Sequence, residues 1–141
     1  MSQIRYKLTD ADGKTHGDTQ WGPGVSHRAS GTFALCGPGW IHVYMHPVLA
    51  VLLNPIHAQF SAPRLWECTV SGACKTDHGL KEGWTEVQTV KELLLPVITT
   101  DHRIRFGILC ALAVYQSPSY ASWANGWLSG KNRTPAAAAA A

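Results

Sequence analysis

Apolar and polar positions along the chain follow two periods in succession. From the N-terminus to about residue 95 the pattern is that of strands. Ile4-Arg5-Tyr6-Lys7-Leu8 alternates and predicts a strand ended by the Asp10-Ala11-Asp12-Gly13 turn. Thr32–Leu35 predicts a short strand before the Cys36-Gly37-Pro38-Gly39 turn. Trp40–Tyr44 predicts another, with Trp40, His42 and Tyr44 on one face and Ile41 and Val43 on the other. Arg64–Val70 alternates most clearly and should turn at Ser71-Gly72. Trp84–Leu95 reads as one or two strands interrupted at Lys91-Glu92.

Two interruptions stand apart from this strand pattern. Residues 15–31, with Trp21 among five glycines and prolines, predict a loop poised over a site. His46-Pro47 opens a short helix that Asn54-Pro55 should end. From Thr99 the period changes to three and four. Thr99-Thr100-Asp101 starts a helix whose seam is Ile104, Ile108, Leu112 and Tyr115. Ser117-Pro118 starts a second with Tyr120, Trp123 and Trp127 on one face, stopped at Gly130. Strands first and helices last predict an α+β fold: a small, mostly antiparallel sheet with one short inserted helix and two C-terminal helices packed on it. The expected organisation is one domain over residues 1–134, followed by a low-complexity alanine tail at 135–141.

Composition narrows the functional classes. At 141 residues the chain is long enough for a true core. Only 15% of residues are charged, against 45% hydrophobic, so part of the surface is expected to be covered by a partner or by another copy in a homo-oligomer. A net charge of +3 without a Lys/Arg run admits an anionic small molecule and argues against duplex nucleic acid. The longest apolar run, Val48–Leu53, is far shorter than the roughly 20 residues of a membrane span, and the first residues lack the apolar core of a signal peptide. A cytoplasmic protein with reduced cysteines is expected.

Candidate chemistry centres on arginines and indoles. Arg28 lies in the glycine-rich loop, Arg64 at a strand start, and Arg103 and Arg105 in the first turns of a helix. Guanidinium forks and a helix N-terminus both suit phosphate oxygens. The bland alternative is pairing with Glu67, Glu92 or Asp101. Six tryptophans are a heavy load for this length. Trp21 is the best placed to touch a ligand, Trp40 and Trp66 read as core, and Tyr120, Trp123 and Trp127 read as helix packing or an interface. His42 and His46 are four apart but on different elements, so no metal site is expected. His46 reads more simply as a helix cap. Glu67, Glu82, Glu86 and Glu92 come with no nucleophile elbow, phosphate-binding loop or paired-acid pattern, so neither catalytic residues nor a cofactor are assigned.

The run Leu35-Cys36-Gly37-Pro38-Gly39-Trp40-Ile41-His42-Val43-Tyr44, then His46-Pro47-Val48-Leu49-Ala50, resembles small phage and prophage proteins of uncharacterised families. Arg103–Leu112 and Trp127–Gly130 extend that resemblance, which covers about residues 30 to 135. Such proteins are similar in size and layout to anti-defence "sponges" that sequester cyclic nucleotides or cyclic ADP-ribose in the host cytoplasm. The resemblance implies a non-enzymatic protein binding a nucleotide-like anion, with Arg28, Arg64, Arg103 and Arg105 on phosphates and Trp21 or Trp66 against the base. The strand–His42-x-Tyr44–helix order is also similar to ADP-ribosyltransferase folds, where a histidine and a tyrosine hold NAD. That alternative would need Glu86 or Glu92 within a late-strand Glu-x-Glu or Gln-x-Glu, and Glu86-Val87-Gln88 reverses that order. A third reading is a protein-binding inhibitor whose tryptophan-rich helices form the contact.

Overall fold

The long hairpin between residues 64 and 93 organises the sheet. In the computed structural model, which describes residues 2–141, β6 (Arg64–Asp77) and β7 (Lys81–Leu93) pair antiparallel along almost their whole length. Their turn falls at Asp77–Leu80, where His78 and Gly79 both take positive φ (48° and 78°), the twist that suits a tight hairpin. The strand therefore runs past Ser71-Gly72. Gly72, at φ 83°, forms a bulge there instead of a turn, because residues 74–77 go on pairing with 84–81. A side chain at Gly72 would meet the Thr85 hydroxyl at 2.2 Å. A second bulge lies at Glu67/Cys68. Lys91-Glu92 stays within β7 and interrupts nothing.

Bulges increase local twist and let a hairpin coil, and here the sheet curls until it meets itself. β1 (Gln3–Thr9) pairs with β6, and β5 (Ile41–Val43) pairs with β7. Just beyond β5, Tyr44 bridges Tyr6 through two backbone hydrogen bonds of 2.8 and 2.9 Å. The order β1-β6-β7-β5 thus returns to β1 as a small ring. β4 (Ser26–Arg28) lies end to end with β5 along the same side of β7. β2 (Lys14–Thr15) and β3 (Thr19–Gln20), joined by a 3-10 turn at His16–Asp18, form a separate ribbon. The stretch 15–31 is therefore partly strand. Its Trp21 is buried in the sheet unit's core cluster, beside Val43, Trp66, Val70, Trp84 and Val87.

Thr32–Leu35 is not a strand. Phe33 has φ 68°, and its carbonyl accepts hydrogen bonds from the Trp40 indole (3.2 Å) and the Lys75 ammonium (2.8 Å) rather than from a neighbouring strand. α1 (Pro47–His57) starts at the His46 cap, whose Nδ1 accepts from the Val48 N–H, and packs against β1. It carries Pro55 inside and ends a turn later than its Asn54-Pro55 pair predicts. Asn54 instead fixes the exit, its side chain bracketing both backbone groups of Phe60.

The chain divides into this sheet unit, ending at Val97, and a helical unit, Ile98–Ala141. In the latter, α2 (Thr100–Val114) begins with a reciprocal cap between Thr99 and His102. α3 (Pro118–Leu128) packs against it through Ile108, Ala124 and Trp127, flanked by Leu112, Tyr120 and Trp123. Ile104 and Tyr115, expected in the seam, are exposed, though the Tyr115 ring meets that of Tyr120. α4 (Pro135–Ala139) gives the alanine tail one short helix. The fold is α+β with a mostly antiparallel sheet. No helix among the described residues is long and apolar enough to cross a membrane.

Trp66 is 1% exposed, and its indole N–H donates to the Thr9 hydroxyl at 3.0 Å. Trp66→Ala should lower stability by about 3–5 kcal/mol, seen as an earlier urea midpoint. Thr99→Ala, which removes only the α2 cap, should cost about 1 kcal/mol.

Candidate functional site

Closing the ring buries a charge that the alternation along β1 places on its polar face. Lys7 lies on β1 opposite Trp66 and faces inward. It is 6% exposed, donates to the His42 carbonyl at 3.0 Å and sits 4.8 Å over the Trp21 ring. Lys81, the first residue of β7, is equally buried and points at Cys36, with Nζ 3.2 Å from Sγ. Among the described residues, neither ammonium is in an ion pair. The one buried acid among the described residues is satisfied elsewhere: Glu82 takes Arg5 Nε at 2.5 Å and the Trp84 indole N–H at 2.7 Å. Burial opposes ionisation of Glu82, but these donors and the Arg5 charge outweigh it and hold its carboxyl below the usual range.

Both lysines line a cleft of about 800 Å³ in the sheet unit. Trp21, Trp40, His42, Tyr44 and His57 share its wall. His42 Nε2 donates to the Leu35 carbonyl, which fixes the proton on that nitrogen and leaves Nδ1 as an acceptor. Burial, reinforced by the Lys81 and Lys7 charges against the pull of that hydrogen bond, keeps the His42 imidazole neutral to lower pH than usual. Tyr44 and His57 form a pair at 2.9 Å. Burial pushes the Tyr44 phenol up to about 12, so it donates, and burial with the Lys81 charge favours the neutral His57 that accepts. Burial likewise brings Lys7 down to about 8. The wall therefore offers two ammonium groups and neutral hydrogen-bonding rings, and no carboxylate among the described residues lines it.

The residues singled out from sequence fall into separate places. His42, Tyr44, Trp21 and Arg28 share the cleft. Arg28 is exposed there and pairs with Glu86 at 3.3 Å. Arg64 is bound through two nitrogens to Glu92 (2.6 and 2.9 Å) and lies over the fully buried Trp66; neither lines the cleft. In the helical unit, Arg105 holds Asp101 at 2.7 Å and the Leu128 carbonyl at 3.2 Å, while Arg103 is exposed. Arg133 joins Asp101 from the other side and covers the Trp127 ring at 4.0 Å. Tyr120, Trp123 and Trp127 are packed between α2 and α3. Glu86, on a smaller cavity of about 230 Å³, and Glu92 do not accompany His42 and Tyr44.

Sequence reasoning missed Lys7, Lys81, Cys36 and His57. One signal was present: Lys7 sits between Tyr6 and Leu8 in a strand whose other alternate residue, Arg5, is also basic. No group of three or more metal-ligating side chains occurs among the described residues. Compared with family models, curated proteins and solved structures, the chain matches none.

The Lys7 shift has a sign in stability. Its folded value of about 8 lies below the ordinary 10.5, so between those limits the unfolded chain binds more protons and stability rises with pH. Cys68 and Tyr44, both raised by burial to about 12, act oppositely from about pH 9 and pH 10 upward. The expected result is therefore a difference: from pH 8 to 10.5 wild type gains stability relative to Lys7→Met, measured by denaturant titration at each pH.

Proposed function

We propose that the sheet unit binds a small nucleotide-like anion in the cleft beside Lys7 and Lys81, and that the chain retains this ligand without converting it. The observation that carries the reading is the pair of buried ammonium groups with no carboxylate partner. A buried charge without a counter-charge is costly, and an anionic ligand entering the cleft would supply the missing one. The lysines, rather than the arginines, are the phosphate contacts in this reading. Arg64 and Arg105 are already committed to carboxylates of their own units. Trp21 has Lys7 over its ring and Trp40 has Lys75 at 5.1 Å, so the indoles position cations more than they offer an open face for a base.

The lining supports retention over turnover. A neutral histidine and a tyrosine–histidine pair can orient hydroxyl or base edges. The carboxylate that an NAD-splitting reaction would need is absent from the wall, with Glu86 and Glu92 held elsewhere by arginines. Sequestration of a signal nucleotide, the role of the anti-defence sponges to which the resembled phage proteins are similar in size and layout, is the biological role that fits such a site.

Native mass spectrometry of the protein from cells should carry a releasable anion and report how many copies hold it. Calorimetric titration with cyclic nucleotides and ADP-ribose derivatives should give binding that weakens as pH rises through about 8, where Lys7 loses its charge. Lys81→Met should weaken it at least ~10-fold, about 1.4 kcal/mol, while Arg64→Ala leaves it unchanged. An empty protein with no heat or thermal shift across that panel would overturn the proposal, and ligand recovered in altered form would overturn the retention part.

A further inference from the structure

Lys81 and Cys36 form an unusual pair. The lysine is 6% exposed, and among the described residues its ammonium has one hydrogen-bond partner, the Cys36 sulfur at 3.2 Å. A thiol is a weak acceptor for a buried ammonium with three donors. Cys36 itself is exposed and lines the cleft, so a small oxidant reaches the sulfur from solvent while the nitrogen stays shielded behind it. The other exposed thiols differ. Cys74 donates to the Lys75 carbonyl, and Cys110 lies on α2 in the helical unit.

We propose that Cys36 and Lys81 are a site of oxidative cross-linking by hydrogen peroxide, joined through a single oxygen as a sulfur–oxygen–nitrogen bridge. In the first step the sulfur takes one oxygen from the peroxide. The O–O bond breaks, the thiol becomes a sulfenic acid, and one water leaves. Elsewhere a sulfenic acid awaits a second thiol, but here the nearest partner is Nζ. After the ammonium gives one proton to solvent, a bond forms between Nζ and the sulfenic oxygen. One hydrogen leaves the nitrogen and one leaves the oxygen, and their two electrons reduce a second peroxide to two waters. A thiol reductant reverses the bridge with four electrons: two cleave it to sulfenic acid and amine, and two more reduce the sulfenic acid to the thiol, the oxygen leaving as water.

The bridge would tie the Cys36–Gly39 turn to the first residue of β7. It would also remove one of the two positive charges from the cleft. Loss of anion affinity on oxidation is the functional consequence, and that part rests on the anion-binding reading above.

The test is graded hydrogen peroxide treatment of the full chain, followed by intact mass and tryptic mapping. The expected product gains one oxygen and loses two hydrogens, links the peptides that contain Cys36 and Lys81, resists cleavage after Lys81, and reverts with dithiothreitol. Cys74→Ser and Cys110→Ser should behave as wild type, whereas Cys36→Ser should give no bridge. Lys81→Arg, which keeps the charge, should leave Cys36 to proceed to sulfinic acid. Sulfinic or sulfonic acid on wild-type Cys36 with Lys81 still cleavable, or a disulfide to Cys74, would overturn the proposal. Anion titration of the oxidised and reduced forms separates the two readings. A bridge with unchanged affinity removes Lys81 from the anion site, and anion binding without a bridge removes the cross-link alone.

Discussion

Two hydrogen bonds between Tyr6 and Tyr44 turn a curled sheet into a ring, and most of the sheet unit's character depends on that closure. Without it, β1 and β5 would be free edges on either side of a long hairpin, with unpaired backbone groups facing water. With it, alternate residues of four strands face a shared interior. The interior holds tryptophans from three segments distant in sequence, Trp21, Trp66 and Trp84. Those indoles fill the volume, and their N–H groups are each satisfied, by Thr15, Thr9 and Glu82 respectively. Large amphipathic side chains in such positions combine burial with a fixed orientation.

The same interior accepts cations because aromatic rings line it. Arg5 is 5.9 Å from the Trp84 ring and Lys7 is 4.8 Å from that of Trp21. Arg5 has a carboxylate, Glu82, and so forms a part-buried ion pair. Lys7 has only a carbonyl and a ring face, which soften its burial without neutralising it. The contrast between these neighbours on one strand separates a structural charge from one available to a ligand. Lys81, at the other end of the hairpin, belongs to the second kind, and its field adds to burial in keeping His42 and His57 neutral.

The helical unit follows another logic. Its seam is small, and its ends are fixed by polar devices: the Thr99–His102 cap, the Ser117 cap of α3, and Asp101 shared between Arg105 and Arg133. Of the two arginines that draw attention in the sequence there, Arg105 holds a carboxylate and the Leu128 carbonyl, while Arg103 is exposed. Asp101, held below the usual carboxylate range chiefly by its hydrogen bond from Arg105, stays charged and keeps that arrangement together.

The α+β class, the strands at β1, β5, β6 and β7, the two C-terminal helices and their starts at Thr99 and Ser117 were all legible in the sequence. They rest on local causes: side-chain period, caps, and prolines at first helical positions. The sequence also marked His42, Tyr44 and Trp21, which do share one cleft. What it could not convey is where β5 ends up, because the contact of Tyr44 with Tyr6 spans 38 residues and carries no local pattern. That contact decides which face of β1 is inside. It thereby makes Lys7 a buried cation rather than a solvated one, and pairing decided at the same level gives Arg64 to Glu92. Local periodicity determined the elements of this protein. Long-range strand pairing, through burial and the choice of charge partners, determined which of its residues form the site.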